Sequence, residues 1–246
     1  MRATNGRNNI LRSARDTFAT KGFDGASIRD IAQAAGLSLS ALYYYFPSKQ
    51  EALYELVHTA YTWYIEHSRA VIAEVDDDPV DQLAVSVRYL SRYRMANVSV
   101  STVLLRDTER LGGENAARIK TLQREARDIL GDIIQAGIDS GAFRVSHAQL
   151  ATRAILSICN SLSIWFRPGG ELDSEQIERE FTLYALRIVG IDADEAELDR
   201  LLALPVNEAG MLDFIAESKS PVNPVHGHSF GGRWSGIGRM AGLDED

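Results

Sequence analysis

Residues 27–53 read SIRDIAQAAGLSLSALYYYFPSKQEAL, and the order of caps, glycine and proline in them decides the fold. Ser27 followed by Asp30 predicts a capped helix start, with Asp30 reaching back toward the cap. Ile28, Ile31, Ala32 and Ala35 then share one helical face. Gly36 suits a left-handed helix end, and Leu37 fills the corner after it. Ser38 or Ser40 opens a second short helix through Leu42 and Phe46. It stops at Pro47, because the residue before a proline avoids the α region. Ser48 with Glu51 is another capping box, at the start of a third and longer helix. Two short helices joined by a tight glycine-containing turn make a helix-turn-helix, whose second helix fits the DNA major groove.

Upstream, the spacing predicts a helix over about residues 6–21, with Ile10, Ala14 and Phe18 on one face and Leu11 beside them. Gly22 followed by Phe23 suits a left-handed cap with its hydrophobic contact. Arg7, Arg12 and Arg15 point elsewhere and read as a solvated face.

These residues together resemble the DNA-binding segment of the tetracycline-repressor (TetR) family of bacterial transcription regulators. The family pattern is a small residue, Leu, Tyr, two more aromatics, a hydrophobe, a short turn and Lys. Here it reads Ala41-Leu42-Tyr43-Tyr44-Tyr45-Phe46-Pro47-Ser48-Lys49. Residues 28–36 and the N-terminal helix with Phe18, Gly22 and Phe23 match as well, so about fifty residues carry the likeness. The resemblance implies a DNA-contacting set of Ser27, Arg29, Ser38, Leu39, Ser40, Tyr43, Tyr44 and Lys49. In it Tyr43 and Tyr44 meet backbone or bases, and Lys49 binds a phosphate. The chain departs from the pattern at Ala41, often threonine in relatives, and at Leu39, where a polar base contact is frequent. Leu39 can instead pack on a thymine methyl. Tyr45 is expected under the reading helix beside Phe46.

The net charge of −8 suits a DNA binder only once it is divided along the chain. Residues 1–50 carry seven basic and three acidic side chains, a net +4, whereas residues 190–246 carry four and eleven, a net −7. Attraction to phosphates is local and screened beyond about 10 Å, so a cationic head on an acidic body docks by one end. The apolar fraction of 45% can build a real core. No uninterrupted apolar run approaches the roughly eighteen residues of a membrane span, and the N-terminus lacks an apolar signal core. One cysteine, Cys159, precludes an intramolecular disulfide and fits a reducing cytoplasm.

Beyond the head the pattern is all-α. A long helix over about residues 49–75 leaves the head and enters a second domain. Helices over about 80–96, 99–110 and 114–140 follow. Ser146 with Gln149 predicts a capping box for a helix ending near Phe166, and Asp173 caps the last core helix through Ile188. The expected organisation is a helix-turn-helix domain (1–50), a helical ligand-binding and dimerisation domain (51–190) and an acidic extension (191–246). In that extension one or two short helices precede a Pro-, Gly- and His-rich end. His226 and His228 are read as unliganded, so neither metal nor cofactor is expected.

The helix ending near Phe166 is apolar nearly all round and must be covered on several sides. Either the subunit buries it, or Ile155, Leu156, Cys159, Phe181, Tyr184 and Ile188 form an isologous four-helix interface between two copies. The family resemblance favours the homodimer, reading two half-sites of a palindromic operator on double-stranded DNA. An effector cavity is expected among the central helices, lined by Tyr61, Tyr64, Tyr89, Tyr93, Leu104, Leu105, Ile129, Ile158, Leu162 and Trp165, for each of which core packing is the alternative. Arg88, Arg92, Arg94, Arg106 and Arg110 form a dense basic set. Arg106 and Arg110 are counted with the ligand site, and a solvated face is again the alternative. Residues 165–170, WFRPGG, resemble a segment of the TetR subset that senses acyl-CoA thioesters. The implied function is a repressor released by a small hydrophobic effector, an acyl-CoA thioester. An all-helical enzyme is the alternative from another class. The chain offers it no G-x-S-x-G, no H-E-x-x-H and no glycine-rich phosphate loop, and catalytic residues are not expected. An architectural DNA protein would need a filled central bundle.

Overall fold

A computed structural model describes residues 2–207 of the chain, and among these every regular element is helical. The long upstream helix α1 spans Arg2–Gly25, with Gly22 at φ 74° and ψ 161° breaking its regular path before the last turn. The expected capping box forms at α2 (Ile28–Ala34): Asp30 N–H donates to Ser27 Oγ at 3.1 Å, and Ser27 N–H donates to Asp30 Oδ2 at 2.7 Å. Gly36 adopts φ 66°, the left-handed turn the sequence asked for. Ser38, rather than Ser40, caps α3 (Leu39–Tyr45) by accepting from Ala41 N–H. Asn9 on α1 donates to Ala35 O at 2.8 Å and holds the turn against the first helix.

The next helix, α4, spans Lys49–Ile72, shorter at its end than the expected 75. Its cap Ser48 accepts from Glu51 N–H at 3.1 Å, but the reciprocal half of that box does not form. The Glu51 carboxylate instead accepts from Asn115 at 3.0 Å, tying α4 to a helix far along the chain. Pro79 opens α5 (Pro79–Ala96) behind Asp78, whose carboxylate accepts from Val80 and Asp81 N–H. The predicted helix over 99–110 is two pieces, α6 (Val98–Arg106) and a 3₁₀ turn (Thr108–Arg110). Gly112 then precedes α7 (Gly113–Asp139).

The Ser146–Gln149 capping box is not formed. Helix α8 (Ala148–Trp165) starts one residue later, on an extended His147 that makes no side-chain cap bond. Gln149 is then its second residue, out of phase with a box. Helix α9 (Ser174–Ile188) has the full box, Asp173 with Gln176. Helix α10 (Glu195–Ala203), capped by Asp194, buries Leu198 and Leu201 on the body. The extension beyond Asn207, with Met211, Phe214, His226 and His228, lies outside the described residues.

Two large apolar cores and two smaller clusters result among the described residues. One joins α1, α2, α3 and the first half of α4 with Val100, Val103 and Leu104 of α6 and Ile119 of α7. The other joins α5, the later part of α7, α8, α9 and α10. Helix α5 packs on α4, α7, α8 and α9, so it runs through the centre of the body. No helix among the described residues is long and apolar enough to cross a membrane.

Candidate functional site

The reading helix α3 divides its three tyrosines by register. Tyr44 is 84% exposed and Tyr43 46%, while Tyr45 packs half-buried on the head core beside the buried Phe46, as expected. Tyr44 meets the Tyr45 ring edge-on with centroids 5.2 Å apart, which gives the exposed ring one firm neighbour. Ser38 and Ser40 are exposed at the helix start, their hydroxyls 3.1 Å apart, and Ser27 and Arg29 are exposed at the start of α2. Leu39 is half-buried and packs against the head core, so only part of it faces outward.

Lys49 is also held by the head itself. Its Nζ donates to Phe23 O at 2.6 Å and Ala26 O at 2.8 Å, and lies 4.1 Å from the Phe23 ring centroid. The ammonium thereby ties the start of α4 to the turn between α1 and α2. Two of its three donors are committed to that strut. Other head cations are also tied down: Arg7 pairs with Glu55 at 2.8 Å, Arg15 with Asp16 at 2.7 Å and Lys21 with Asp30 at 2.8 Å, so the solvated face is partly a set of ion pairs. Lys21, and then Ser27, hold the Asp30 carboxyl well below the usual carboxylate range.

Behind the head, five helices line a cavity of about 100 Å³ that is open on one side. Helix α4 contributes Ala60, Tyr61 and Tyr64, α5 contributes Leu90, Tyr93 and Arg94, and α6 contributes Leu104 and Leu105. Gln123, Ala126 and Arg127 of α7 and Leu156 and Asn160 of α8 complete the wall. A smaller gap of about 10 Å³ lies next to it, bounded by Tyr64, Leu90, Leu156 and Ile129 among others. Burial raises the pKa of Tyr64, Tyr89 and Tyr93 above the ordinary tyrosine value. The Cys159 thiol is pushed up to about 11 by burial.

Of the expected lining residues, Tyr61, Tyr64, Tyr93, Leu104 and Leu105 line the cavity and Ile129 the smaller gap. The others are elsewhere. Tyr89 is buried and stacks on Tyr64 at 6.0 Å. Leu162 joins Met95, Phe166 and Ile177 in a separate apolar cluster. Ile158 is half-buried off the cavity wall. Trp165 is on the outer surface, its Nε1 donating to Ser161 Oγ at 3.0 Å. Arg106 leaves the cavity: it pairs with the buried Asp107 and donates to Phe18 O and Ala19 O in the last regular turn of α1. Arg110 pairs with Asp24 at 2.9 Å on the surface.

Arg88 and Arg92 are committed inside the body. The buried Glu178 accepts from Arg88 Nε at 2.5 Å and from Arg92 Nε at 2.6 Å, and Arg88 also donates to Leu201 O and Leu204 O. Of the five central arginines only Arg94 lines the cavity. Arg127, Gln123 and Asn160 lie on the wall too. Sequence reasoning misses these three because it looks for an apolar lining, and they are polar.

The expected dimer set also splits. Ile155 and Cys159 are each 1% exposed in the subunit's own core, and Leu156 lines the cavity, so these three face inward. Tyr184 faces outward, with Phe181 and Ile188 half-buried. The large apolar side chains left exposed on α8, α9 and the loop between them are Leu150, Ile164, Trp165, Leu172 and Tyr184.

The family profile for bacterial regulatory proteins of the tetR family matches residues 10–56, and that for the tetracyclin repressor-like C-terminal domain matches residues 76–189. The TetR family regulator PfmR from Thermus thermophilus is 31% identical in sequence. It superposes with a TM-score of 0.66, over 75% of this chain and 99% of that one. The chain belongs to the TetR family. It is therefore related to DNA-binding transcription regulators along both the head and the body. The HTH-type transcriptional repressor KstR2 of Mycobacterium tuberculosis is 26% identical over 183 residues, covering 73% of this chain and 90% of that protein. AibR, solved in complex with isovaleryl coenzyme A and operator DNA, is 21% identical with a TM-score of 0.66, over 73% of this chain and 97% of that one; this likeness speaks for the TetR fold.

Proposed function

We propose that this TetR-family chain is a repressor that grips a palindromic operator as a homodimer and releases it when a small hydrophobic effector, an acyl-CoA thioester, enters the central cavity. Ser27, Arg29, Ser38, Leu39, Ser40, Tyr43, Tyr44 and, through its remaining donor, Lys49 form the DNA-facing set, with residues 1–50 as the reading domain. Residues 51–190 carry the effector and the partner copy, and 191–246 form an extension. The dimer face in this reading is the open apolar surface around Leu150, Ile164, Trp165, Leu172 and Tyr184, not the inward side of α8. The setting is the cytoplasm, where the chromosome is.

The observation that carries the reading is the double connection between cavity and head. Helix α4 packs its first half in the head core and lines the cavity with Tyr61 and Tyr64. Helix α6 lines it with Leu104 and Leu105, and the next residue, Arg106, holds carbonyls at the end of α1. A ligand that shifts either wall shifts the head. Half-sites lie about one helical turn or a multiple apart, so a small change in head separation weakens simultaneous docking. The acyl-CoA choice is supported by the WFRPGG segment, and the fold is one that in AibR holds isovaleryl coenzyme A.

The test is fluorescence anisotropy of the full chain on the promoter region beside its own coding sequence, with sedimentation in parallel. Salt-dependent binding by a dimer and release by at least one acyl-CoA are expected. A monomer that ignores that DNA overturns the proposal, and release by none of several chain lengths removes the acyl-CoA part.

A further inference from the structure

The cavity wall carries a charge that its neighbours leave unbalanced. Arg94 is only 7% exposed, yet its Nε donates to the neutral Asn160 at 3.0 Å and its Nη1 to the neutral Ser101 at 3.2 Å. Its guanidinium lies 5.5 Å from the Tyr93 ring centroid, and no carboxylate of the described residues pairs with it. A buried cation is costly unless an anion or a strong acceptor answers it. Beside it Tyr93 is 0% exposed, and its hydroxyl is buried without a hydrogen-bond partner among the described residues. Two donors on one cavity wall, a cation and a hydroxyl, ask for an oxygen acceptor.

The cavity also limits size. At about 100 Å³ it is smaller than the roughly 150 Å³ engineered cavity that takes a benzene, so the part of a ligand seated inside it is about four or five non-hydrogen atoms, and anything larger extends through the open side. Tyr64 borders both this cavity and the 10 Å³ gap, together with Leu90 and Leu156. Its ring is part of the partition between them.

We infer that the effector presents a carbonyl or carboxylate oxygen to Arg94 and Tyr93 on a body of about four or five non-hydrogen atoms, with Tyr64 as the floor that limits chain length. The inference rests on the cavity being the effector site and narrows what enters it. The same oxygen chemistry has two sources: the thioester carbonyl of a short acyl-CoA, or the carboxylate of the matching free acid.

Calorimetric titration of the full chain with butyryl-CoA, butyrate, octanoyl-CoA, octanoate and unacylated coenzyme A tests it. One of the four-carbon ligands binds about tenfold or more tightly than its eight-carbon counterpart. Tyr93→Phe weakens that binding about threefold to tenfold and Arg94→Met about tenfold to a hundredfold. Tyr93→Phe leaves the ligand-free melting temperature unchanged or higher, which a merely structural hydroxyl would not do. Tyr64→Ala, or Tyr64→Leu if the alanine variant does not fold, shifts the preference toward eight carbons. Should Arg94→Met fail to fold, Tyr93→Phe and the Tyr64 variant still decide the matter. Tighter binding of octanoyl-CoA by the natural chain overturns this inference while leaving the acyl-CoA reading intact. Binding of butyrate without butyryl-CoA overturns the acyl-CoA reading and supports this inference. Binding of none of them by a chain that still holds its operator overturns both, and variants that bind like the natural chain overturn the role of Arg94 and Tyr93.

Discussion

Arg88 and Arg94 stand on the same helix, α5, and little of either is exposed, but their surroundings differ. Arg88 donates to Glu178 and to two carbonyls at the end of α10, Leu201 O and Leu204 O. Glu178 also takes Arg92, so one carboxylate answers two guanidinium groups that hold α5, α9 and the end of α10 together. Arg94 meets only neutral partners and faces a cavity. The difference separates a charge used to fix a fold from one kept for something that arrives later. Residue type alone does not make that distinction; the presence of an opposing carboxylate does.

The contrast is broken most directly at Glu178. Glu178→Gln leaves Arg88 buried without its anion, and removing one partner of a buried pair costs about 3–5 kcal/mol. Urea denaturation of the full chain measures it, and a loss under about 1 kcal/mol would mean that the pair contributes no more than an exposed one.

Lys49 extends the comparison to the head, where a cation is answered by carbonyls. Lys49→Met loses two charge-assisted hydrogen bonds and the contact with the Phe23 ring, and is expected to cost about 2 kcal/mol of stability. The dependence of operator binding on salt separates this strut from a phosphate contact. The slope of log K against log salt stays the same for a strut and falls by about one if Lys49 touches a phosphate.

What could be read in advance follows the same division. In the head the signals are local: Ser27 with Asp30, a left-handed Gly36, a cap at Ser38 and a stop at Pro47 each act within one turn, and register alone sends Tyr44 out and Tyr45 in. In the body the decisive partners are distant, Arg88 and Glu178 being 90 residues apart, and no local period reveals such a pair. Helix α8 is ambiguous in sequence for a related reason. Apolar residues on most sides give little phase, so packing against α5, α6, α7 and α9 turns Ile155 and Cys159 inward and leaves Leu150 and Ile164 outside. The false capping box at Ser146 is likewise a correct pattern one residue out of phase.

Tyr44 is the exposed counterpart of these buried groups. With 84% of it exposed, Tyr44→Ala is expected to change stability by less than about 0.5 kcal/mol. Its effect belongs on DNA, a loss of about tenfold in operator affinity at fixed salt, corresponding to about 1.4 kcal/mol. Anisotropy and urea denaturation of the same variant check both halves; a large stability loss with unchanged affinity would reverse the assignment.

The smallest effect is expected where a paired charge is wet. Asp30 is held by Lys21 and Ser27, and its carboxyl titrates below its ordinary range. A depressed folded pKa makes the unfolded chain bind the proton first, so the contribution is present above the unfolded value of about 3.9 and is lost as pH falls through it toward the folded value. Melting curves of the natural chain and Asp30→Asn from pH 7 to pH 3 should therefore show a small gap that is constant above about pH 5 and begins to narrow below about pH 4. High salt narrows the part of that gap due to Lys21 and leaves the part due to the Ser27 cap, because the ion pair is exposed to screening and the cap bonds are short-range. A gap that ignores both pH and salt would show that Asp30 acts through helix propensity alone, and the surface pair would then be only a by-product of the cap.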